Sequence, residues 1–274
     1  MEGAITGIHQ SPFRGHSLEF AQHREYAYGD ELRHIDWKVY GRTDRFYVKQ
    51  YQEETNLRAY ILLDISKSMT FTGDTGSISK LVYGIHLSAA ISYLLLHQED
   101  SVGLALFDNK IRNFIPPRAQ LGHFANIADV LENITPGEDT NISVILDDFG
   151  KLLKKRGLVI FISDLFDDPE QVMKSIKLLR FKHHDVVVFQ IISPYEKELL
   201  YKGTALFESL EQPDLQLRTE IEHISREYNR IFHDFLVEYK SRFRQSGIDY
   251  CLLETTTPVE IGLGTFLGKR NKQI

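Results

Sequence analysis

Three oxygen-bearing side chains follow directly on a run of apolar residues. Asp64, Ser66 and Ser68 come at alternate positions after residues 59–63, a run typical of a strand covered on both faces of a parallel sheet. Ligands of open α/β sheets bind outside the carboxyl ends of the strands. One carboxylate and two hydroxyls suit Mg²⁺, which keeps several waters, better than Ca²⁺, which usually takes more carboxylates. The triplet therefore predicts a Mg²⁺ site, and the choice between Mg²⁺ and Mn²⁺ stays open.

Two later segments carry further candidate ligands. Thr140 follows the turn signal Pro136-Gly137 and precedes a helix predicted over residues 142–153. Asp164 comes two residues after the end of a second apolar run, residues 157–162. It is therefore expected at the same sheet edge as Asp64. The alternative is that Asp64 and the two serines only cap the next helix and satisfy turn amides.

These five residues resemble the metal-ion-dependent adhesion site of von Willebrand factor A domains. Asp64, Ser66 and Ser68 match its D-x-S-x-S triplet, Thr140 its loop threonine and Asp164 its later aspartate. The resemblance implies that these five residues hold the metal. It also implies that a partner protein offers an Asp or Glu carboxylate to the metal, which favours protein binding over turnover.

The stretch before the triplet carries a second resemblance. It is similar to the signature of the bacterial family called domain of unknown function fifty-eight, whose members carry a von Willebrand A-like domain directly after it. The matching pieces are Gly15-His16-Ser17-Leu18-Glu19-Phe20-Ala21, Arg24-Glu25-Tyr26, Gly29-Asp30, Arg33-His34-Ile35-Asp36-Trp37, Arg42-Thr43 and Val48-Lys49. The family resemblance implies an adaptor that works with a MoxR-type AAA+ ATPase in the assembly or maturation of other proteins.

This signature segment alternates arginines and acids and contains large aromatic residues. One interpretation is a partner-binding surface that includes Arg24, Arg33, Trp37 and Arg42. The other is an internal ion-pair network that fastens the segment to the sheet, because buried arginines are usually paired with acids. Both roles could hold together.

Strand and helix patterns alternate along the rest of the chain, which predicts α/β architecture. We expect a von Willebrand A-like, Rossmann-like sheet that is mostly parallel, has one antiparallel edge strand and is flanked by helices. The edge is predicted as a hairpin of residues 102–107 and 111–115 around an Asp108-Asn109 turn. The predicted domains are an N-terminal extension at residues 1–56, packed on the core, and the von Willebrand A-like domain at residues 57–274.

Composition excludes several other classes of protein. With 42% hydrophobic and 26% charged residues and a net charge of −6, the chain is neither disordered nor a general nucleic-acid or membrane binder. A single cysteine, Cys251, excludes internal disulfides and indicates the cytoplasm. The longest apolar helical stretch, residues 84–96, is shorter than the roughly 18 residues a membrane span needs. Membrane association through upstream sequence absent from this chain is the alternative.

An enzyme is the rival class, because Mg²⁺ beside a strand-end aspartate also suits phosphoryl transfer or hydrolysis. Haloacid-dehalogenase-like phosphatases use an aspartyl nucleophile two residues before an acid. Here Asp64 is followed at that spacing by Ser66, so the general acid is missing. The sequence also lacks a phosphate-binding loop ending in Lys-Ser/Thr, a G-x-S-x-G elbow and an H-E-x-x-H helix. We therefore predict a non-enzymatic protein.

Overall fold

A computed structural model describes residues 18–27, 30, 35–53, 57–73, 76–138, 140–199, 203–208 and 216–270. The chain divides into two compact units, His9–Asn56 and a larger unit that contains Leu57–Ile274. Each unit is described by itself. The predicted packing of the extension on the core stays a prediction.

The smaller unit contains an antiparallel pair of strands and one short helix. Strand β1 (Leu18–Glu25) pairs with β2 (Tyr47–Glu53), and helix α1 (Trp37–Thr43) lies between them in the chain. Asp36 caps α1, because its carboxylate accepts hydrogen bonds from the first-turn amides of the helix. No helix or strand was predicted for this segment from its sequence.

The larger unit is built on a six-stranded sheet. The described part of this unit contains eight strands, six of which form that sheet: β3 (Arg58–Asp64), β4 (Ser101–Phe107), β5 (Ile111–Arg118), β6 (Leu158–Ser163), β7 (Asp185–Ile192), β8 (Thr204–Glu208), β9 (Gln216–Glu220) and β10 (Asp249–Glu254). The sheet order is β10-β7-β6-β3-β4-β5, with β5 antiparallel to β4 and every other pairing parallel. This arrangement confirms the predicted sheet with one antiparallel edge strand. The hairpin of β8 and β9 was not predicted.

Seven helices in the described part of this unit connect and flank these strands. They are α2 (Lys80–His97), α3 (His123–Glu132), α4 (Ile142–Leu152), α5 (Pro169–Phe181), α6 (Pro194–Lys197), α7 (Ile221–Gln245) and α8 (Val259–Arg270). Side chains cap several of them: Ser79 caps α2, Asn141 caps α4 and Asp168 caps α5. The helix predicted over residues 142–153 is confirmed as α4, which ends one residue earlier. Within the described residues, no helix is long and apolar enough to cross a membrane.

The sheet separates two hydrophobic layers. Because side chains alternate between the faces of a strand, Ala59, Ile61 and Leu63 pack with α2, α3 and α8. Tyr60 and Leu62 face the opposite layer, which α4, α5 and α7 complete. Burial on both faces explains why residues 59–63 form one uninterrupted apolar run.

The chain order reverses direction at the centre of the sheet. From β3 the chain moves to β4 and β5 on one side, then returns to β6, which pairs with the other edge of β3. Such a switch point opens a crevice at the carboxyl ends of the strands. Asp64 and Asp164 lie at that end of β3 and β6.

Candidate functional site

Asp64 is completely buried at the end of β3. Its Oδ1 accepts a hydrogen bond from the Ser66 amide at 2.9 Å, and its Oδ2 accepts one from the Ser163 hydroxyl at 2.7 Å. The strand register explains the second bond, because Leu63 pairs with Ile162 and Ser163 therefore lies beside Asp64. Each carboxylate oxygen keeps one further acceptor site.

The two serines of the triplet lie together in the turn after β3. Their Oγ atoms are 3.1 Å apart, so one hydroxyl donates to the other. Ser66 is buried, whereas Ser68 is half-buried in a short 3₁₀ turn, Lys67–Thr70. Two hydroxyl oxygens are thereby held within reach of one ligand beside the Asp64 carboxylate.

Asp164 is also completely buried, but it has a cationic partner. Its Oδ2 accepts a hydrogen bond from the Lys80 ammonium at 2.8 Å, and its Oδ1 accepts one from the Phe166 amide at 3.2 Å. The same ammonium donates to Glu196, at the start of α6. Lys80 also lies 4.5 Å from the centre of the Phe166 ring, a cation–π contact.

Burial and these charges raise the pKa values of Asp64, Glu196 and Lys80. Burial, together with the neighbouring charge of Asp164, raises the pKa of Asp64 to about 7. Burial also raises the pKa of Glu196. For Lys80, burial disfavours the charged form, but Asp164 and Glu196 outweigh it and raise the pKa of the ammonium. Among the described side chains, the Asp164 carboxylate therefore contacts a compensating cation, whereas Asp64, once ionised, does not.

Thr140 lies in the third loop of this edge. Its hydroxyl donates to the carbonyl oxygen of Asp108 at 3.0 Å, which leaves the lone pairs of the hydroxyl oxygen available to a cation. The loop is held close to the end of β4, because the Glu138 amide donates to the Asp108 carboxylate at 2.9 Å. A Cβ at Gly137 would lie 2.3 Å from that carboxylate, so this approach requires glycine.

A strained backbone lies directly beside Asp164. Leu165 is buried and has φ of 61°, in the left-handed region that residues with a Cβ rarely adopt. The Ser163 hydroxyl accepts a hydrogen bond from the Leu165 amide at 3.0 Å, and the Gln190 amide group donates to the Asp164 carbonyl at 2.9 Å. These bonds hold the turn in place, as is typical of strained segments at functional sites.

The chain matches a known family model over most of its length. Residues 22–234 match the family described as "Protein of unknown function DUF58". The chain belongs to this family.

Proteins similar to this chain include uncharacterized proteins of Mycobacterium. Rv1480 of M. tuberculosis strain H37Rv and Mb1516 of M. bovis are each 23% identical to it over 214 residues. The match covers 77% of this chain and 66% of the relative, so the chain spans slightly less than two thirds of that protein.

Solved structures share the von Willebrand A-like fold. An aerotolerance-related membrane protein from Bacteroides fragilis NCTC 9343 aligns with a TM-score of 0.52 at 14% identity, over 80% of this chain and 100% of that one. The conserved hypothetical protein BatB from Bacteroides thetaiotaomicron aligns over 79% of this chain and 99% of its own, with a TM-score of 0.48 at 17% identity. The sheet order, together with the alignment at a TM-score of 0.52, confirms the α/β fold predicted from the sequence.

In the DUF58 chain, hydrogen bonds and charge interactions connect the five predicted metal ligands at one edge of the sheet. Asp64, Ser66 and Ser68 are joined by hydrogen bonds, and Asp164 acts on Asp64 through its charge. Thr140 reaches the same edge through the backbone of Asp108, the residue after the strand that pairs with β3. The described residues contain no cluster of three or more His, Cys, Asp and Glu side chains suited to a metal ion. A metal here would therefore depend on hydroxyl and water oxygens.

The chemistry of this donor set fits a divalent cation. Asp64, Asp164 and Glu196 are buried carboxylates, and Lys80 is the one buried ammonium that contacts any of them among the described residues. With all three acids ionised, two negative charges are left over. Hydroxyl oxygens and carboxylates are the hard ligands that Mg²⁺ and Mn²⁺ take.

Sequence reasoning missed Lys80, Glu196, Ser163 and Asp108. Lys80 and Glu196 join the site from helix starts 84 and 32 residues away from Asp164, and no local signal connects them. Asp108 could have been found, because it directly follows β4 just as Asp64 ends β3. It is engaged elsewhere, since Arg112 Nε donates to it at 2.8 Å and helps to lower the pKa of this buried carboxyl.

The predicted partner-binding residues belong to the smaller unit. Arg24 forms an exposed ion pair with Asp30 of the same unit at 2.7 Å. Trp37 is 62% exposed and packs edge-on against Tyr40, with ring centres 6.1 Å apart. Arg42 is exposed in the last turn of α1. Arg33 lies outside the described residues.

Proposed function

We propose that this DUF58 protein is a non-enzymatic adaptor that captures a partner protein through a divalent metal at the β3–β6 edge. Asp64, Ser66, Ser68, Thr140 and Asp164 would hold Mg²⁺ or Mn²⁺. The bound ion would supply an open coordination position to an anionic oxygen. The partner would fill that position with an Asp or Glu carboxylate.

The observation that carries this proposal is the excess of buried negative charge. Asp64 has no cationic partner among the described side chains, and burial with the Asp164 charge raises its pKa. An isolated buried carboxylate is costly, so such groups usually neutralise, pair or coordinate a metal. A divalent cation would balance the two charges that Lys80 leaves uncompensated.

The hydroxyl ligands would determine what the site can do. Serine and threonine oxygens are neutral, so they bind a cation without cancelling its charge. The ion would therefore stay attractive to a carboxylate from outside. Ser68 and Thr140 are half-buried, so the open side of the proposed site would face solvent.

The partner that we propose is a MoxR-type AAA+ ATPase or its client, acting in the assembly or maturation of other proteins. This choice rests on the resemblance to DUF58 adaptors. The exposed residues Trp37 and Arg42 would add a second, weaker contact. No nucleic acid is proposed as a partner, because the net charge is −6.

The test combines a metal titration with a binding measurement. Calorimetry with Mg²⁺ alone should give binding to the wild type and none to Asp64→Asn, which keeps the shape of the side chain. The immobilised proteins should then be exposed to the MoxR-type ATPase of the source organism in one Mg²⁺-containing buffer. A chelator is unsuitable as the control, because the ATPase itself needs Mg²⁺.

We expect the ATPase to bind the wild type and to be lost from Asp64→Asn. Equal Mg²⁺ affinity of the two proteins would refute the metal site. Metal binding with no difference in ATPase capture would refute this partner. Hydrolysis of p-nitrophenyl phosphate by the wild type but not by Asp64→Asn would refute the adaptor in favour of an enzyme.

A further inference from the structure

The exposed face of α2 carries no full charge. After the buried Lys80 the helix contains no Asp, Glu, Lys or Arg, and its exposed residues include Val82, His86 and Tyr93. A helix at a protein surface usually turns charged residues outward. Helix α5 follows this rule. Its exposed charged residues are Glu170, Lys174, Lys177 and Arg180. The outer face of α2 therefore differs from an ordinary solvated surface.

A groove runs along this face, between α2, α8 and the loop after β10. Its volume of about 680 Å³ is typical of sites that bind small molecules. Most of its lining side chains are apolar or aromatic, among them Ile78, Ala90, Tyr93, Leu94, Leu263 and Leu267. None of the predicted metal ligands lines it. The groove is therefore a second candidate site, away from the metal ligands.

The two helices that bound the groove run in the same direction. Helix α2 connects the end of β3 to the start of β4, which is parallel to β3, so it runs back along the sheet. Helix α8 starts after the end of β10. Its Phe266 packs edge-on against Phe189 in the middle of β7, with ring centres 4.9 Å apart, so α8 also runs back along the sheet. The first turns of the two helices thus lie at the same end of the groove.

The polar lining residues gather at that end. Glu260 is in the first turn of α8, and three threonines, residues 255–257, precede the helix. Tyr83 and His86 belong to the first half of α2. The side chains that line the groove later in both helices are apolar or aromatic. The groove thus has a polar end and an apolar end.

A buried hydroxyl without a partner belongs to the polar end. Tyr83 is fully buried and lines the groove, and its hydroxyl makes no hydrogen bond within the described part of the chain. A Cβ at Gly262 would be 3.3 Å from the hydroxyl oxygen, so the hydroxyl lies against α8. Burial, with the nearby Cys251 and Glu260, raises the pKa of Tyr83 to about 12, so the hydroxyl stays protonated. A buried hydroxyl left unpaired is costly, and a bound ligand would supply the missing partner.

Glu260 determines which charge the groove would accept. Among the described lining residues it is the only Asp, Glu, Lys or Arg, and no described side chain forms an ion pair with it. Its carboxylate also offsets the positive end of the α8 dipole, so the start of that helix does not favour an anion. A cationic head would be attracted to this end of the groove, and an anionic head would be repelled.

We propose that the groove binds a cationic amphiphile, a single molecule with an amine head at Glu260 and Tyr83 and an alkyl tail along Ala90, Leu94 and Leu267. The helix between Tyr83 and Leu94 is about 16 Å long, which suits an unbranched tail as long as a dodecyl chain. The metal ligands take no part in this binding. The inference therefore stands apart from the proposed function.

Calorimetry on the full chain tests the proposal with simple probes, in EDTA and below the concentrations at which the probes form micelles. Dodecylamine should bind, and dodecanoate, which has the same tail and the opposite charge, should not. Decylamine lacks two methylenes and should bind about tenfold more weakly than dodecylamine. Equal affinities for dodecylamine and dodecanoate would overturn the amine head. No binding of dodecylamine would overturn the whole inference.

Two conservative variants test the polar end. Tyr83→Phe keeps the ring and should weaken dodecylamine binding about tenfold, while the ligand-free variant is at least as stable to urea as the wild type. A loss of stability without ligand would show that the hydroxyl has a structural partner, and would overturn its role. Glu260→Gln should weaken dodecylamine binding about fivefold, because the carboxylate is exposed. Glu170→Gln, at an exposed acid in the first turn of α5, is the matched control and should change nothing.

A third variant tests whether the ligand lies in the groove. Gly264 lines the groove, and a Cβ there would meet no atom within 4 Å, so Gly264→Trp should fill the groove without disturbing the core. Dodecylamine binding should then be lost. Gly41→Trp, at an equally open position in α1, is the matched control and should bind like the wild type. Unchanged dodecylamine affinity in Gly264→Trp would overturn the groove as the site.

Discussion

Two aspartates at neighbouring strand ends have the same burial and opposite electrostatic surroundings. Asp64 ends β3 and is held by an amide and a hydroxyl. Asp164 follows β6 and contacts the ammonium of Lys80. Neither carboxylate is exposed to solvent. The two acids therefore do not differ because of their position at the sheet edge. They differ because α2 brings the Lys80 ammonium to Asp164 and not to Asp64.

The difference assigns separate roles to the two acids. Because Lys80 neutralises Asp164, that carboxylate would bind a metal weakly or through water. Asp64 lacks this compensation, so it would contribute most of the attraction. This contrast can be tested by removing the Lys80 ammonium or by removing the charge of Asp64.

The largest effect is expected from Lys80→Met, which removes the internal cation. Asp164 and Glu196 would be left buried without a partner, and breaking such a network costs about 3–5 kcal/mol. We expect a fall of this size in the free energy of unfolding, measured by urea denaturation in EDTA. The three acids would then lack all compensation, so Mg²⁺ should stabilise this variant more than it stabilises the wild type.

The matched control for Lys80→Met neutralises the acids as well. Lys80→Met combined with Asp164→Asn and Glu196→Gln should recover part of the lost stability, because it leaves fewer buried charges unpaired. A loss below about 1 kcal/mol in Lys80→Met alone would be within the range of surface ion pairs. That result would contradict the contrast between the two aspartates.

The pH dependence of stability is the second test, and Asp64 determines its sign. The folded-state pKa of Asp64 is raised to about 7 from an ordinary value of 3.8. Between these values the folded state keeps a proton that the unfolded state loses, so stability falls as pH rises. This one group would contribute a slope of up to about 1.4 kcal/mol per pH unit without metal. Below pH 3.8 its contribution is absent, and above pH 7 its full penalty remains.

Asp64→Asn serves as the control for this slope. We expect unfolding in urea, followed at pH 5 to 8 in EDTA, to show the decline in the wild type and a flatter profile in the variant. Because a metal binds the ionised carboxylate, Mg²⁺ should stabilise the wild type more at pH 8 than at pH 6. Parallel profiles for the two proteins would mean that Asp64 is already ionised and compensated at pH 5.

The sequence predicts that the two aspartates lie at strand ends, but it does not predict which side chains surround them. Apolar runs before Asp64 and Asp164 predict buried strands, and parallel strands end at one edge, so the sheet and its site edge followed from local pattern. The Lys80 contact depends on how α2 packs, and it spans 84 residues. No periodicity or spacing in the sequence encodes such a contact.

The unpredicted elements share a different physical reason. Strands β1, β2, β8 and β9 pair in isolated two-stranded sheets instead of joining the main sheet. A two-stranded ribbon has no continuous apolar run, and in β1 the charged residues Glu19, Arg24 and Glu25 occur among the apolar ones. Pattern analysis recognises strands buried on both faces far better than such isolated pairs.

The third prediction compares two hydroxyls of the site. Ser163 is buried, donates to Asp64 and accepts from Leu165, so Ser163→Ala should cost about 1–3 kcal/mol of stability. Among the described residues, the Ser68 hydroxyl makes one hydrogen bond, to the Ser66 hydroxyl, so Ser68→Ala should cost less than about 1 kcal/mol. Both variants should bind Mg²⁺ at least about tenfold more weakly. Urea denaturation and calorimetry measure the two quantities. Unchanged Mg²⁺ affinity in Ser68→Ala would remove that hydroxyl from the ligand set.

The smallest effect on stability is expected at Trp37, in the smaller unit. Its side chain is 62% exposed, so Trp37→Ala should change the free energy of unfolding by no more than about 0.5 kcal/mol. Exposed tryptophans often dominate binding, so capture of the MoxR-type ATPase should weaken about tenfold or more.

Phe181→Ala removes an aromatic side chain that is 81% exposed on α5, and it should leave capture unchanged. Equal losses in the two variants would indicate nonspecific adhesion, and no loss in either would confine partner binding to the metal edge. A selective loss at Trp37 that persists in the Asp64→Asn background would show that the smaller unit binds independently of the metal.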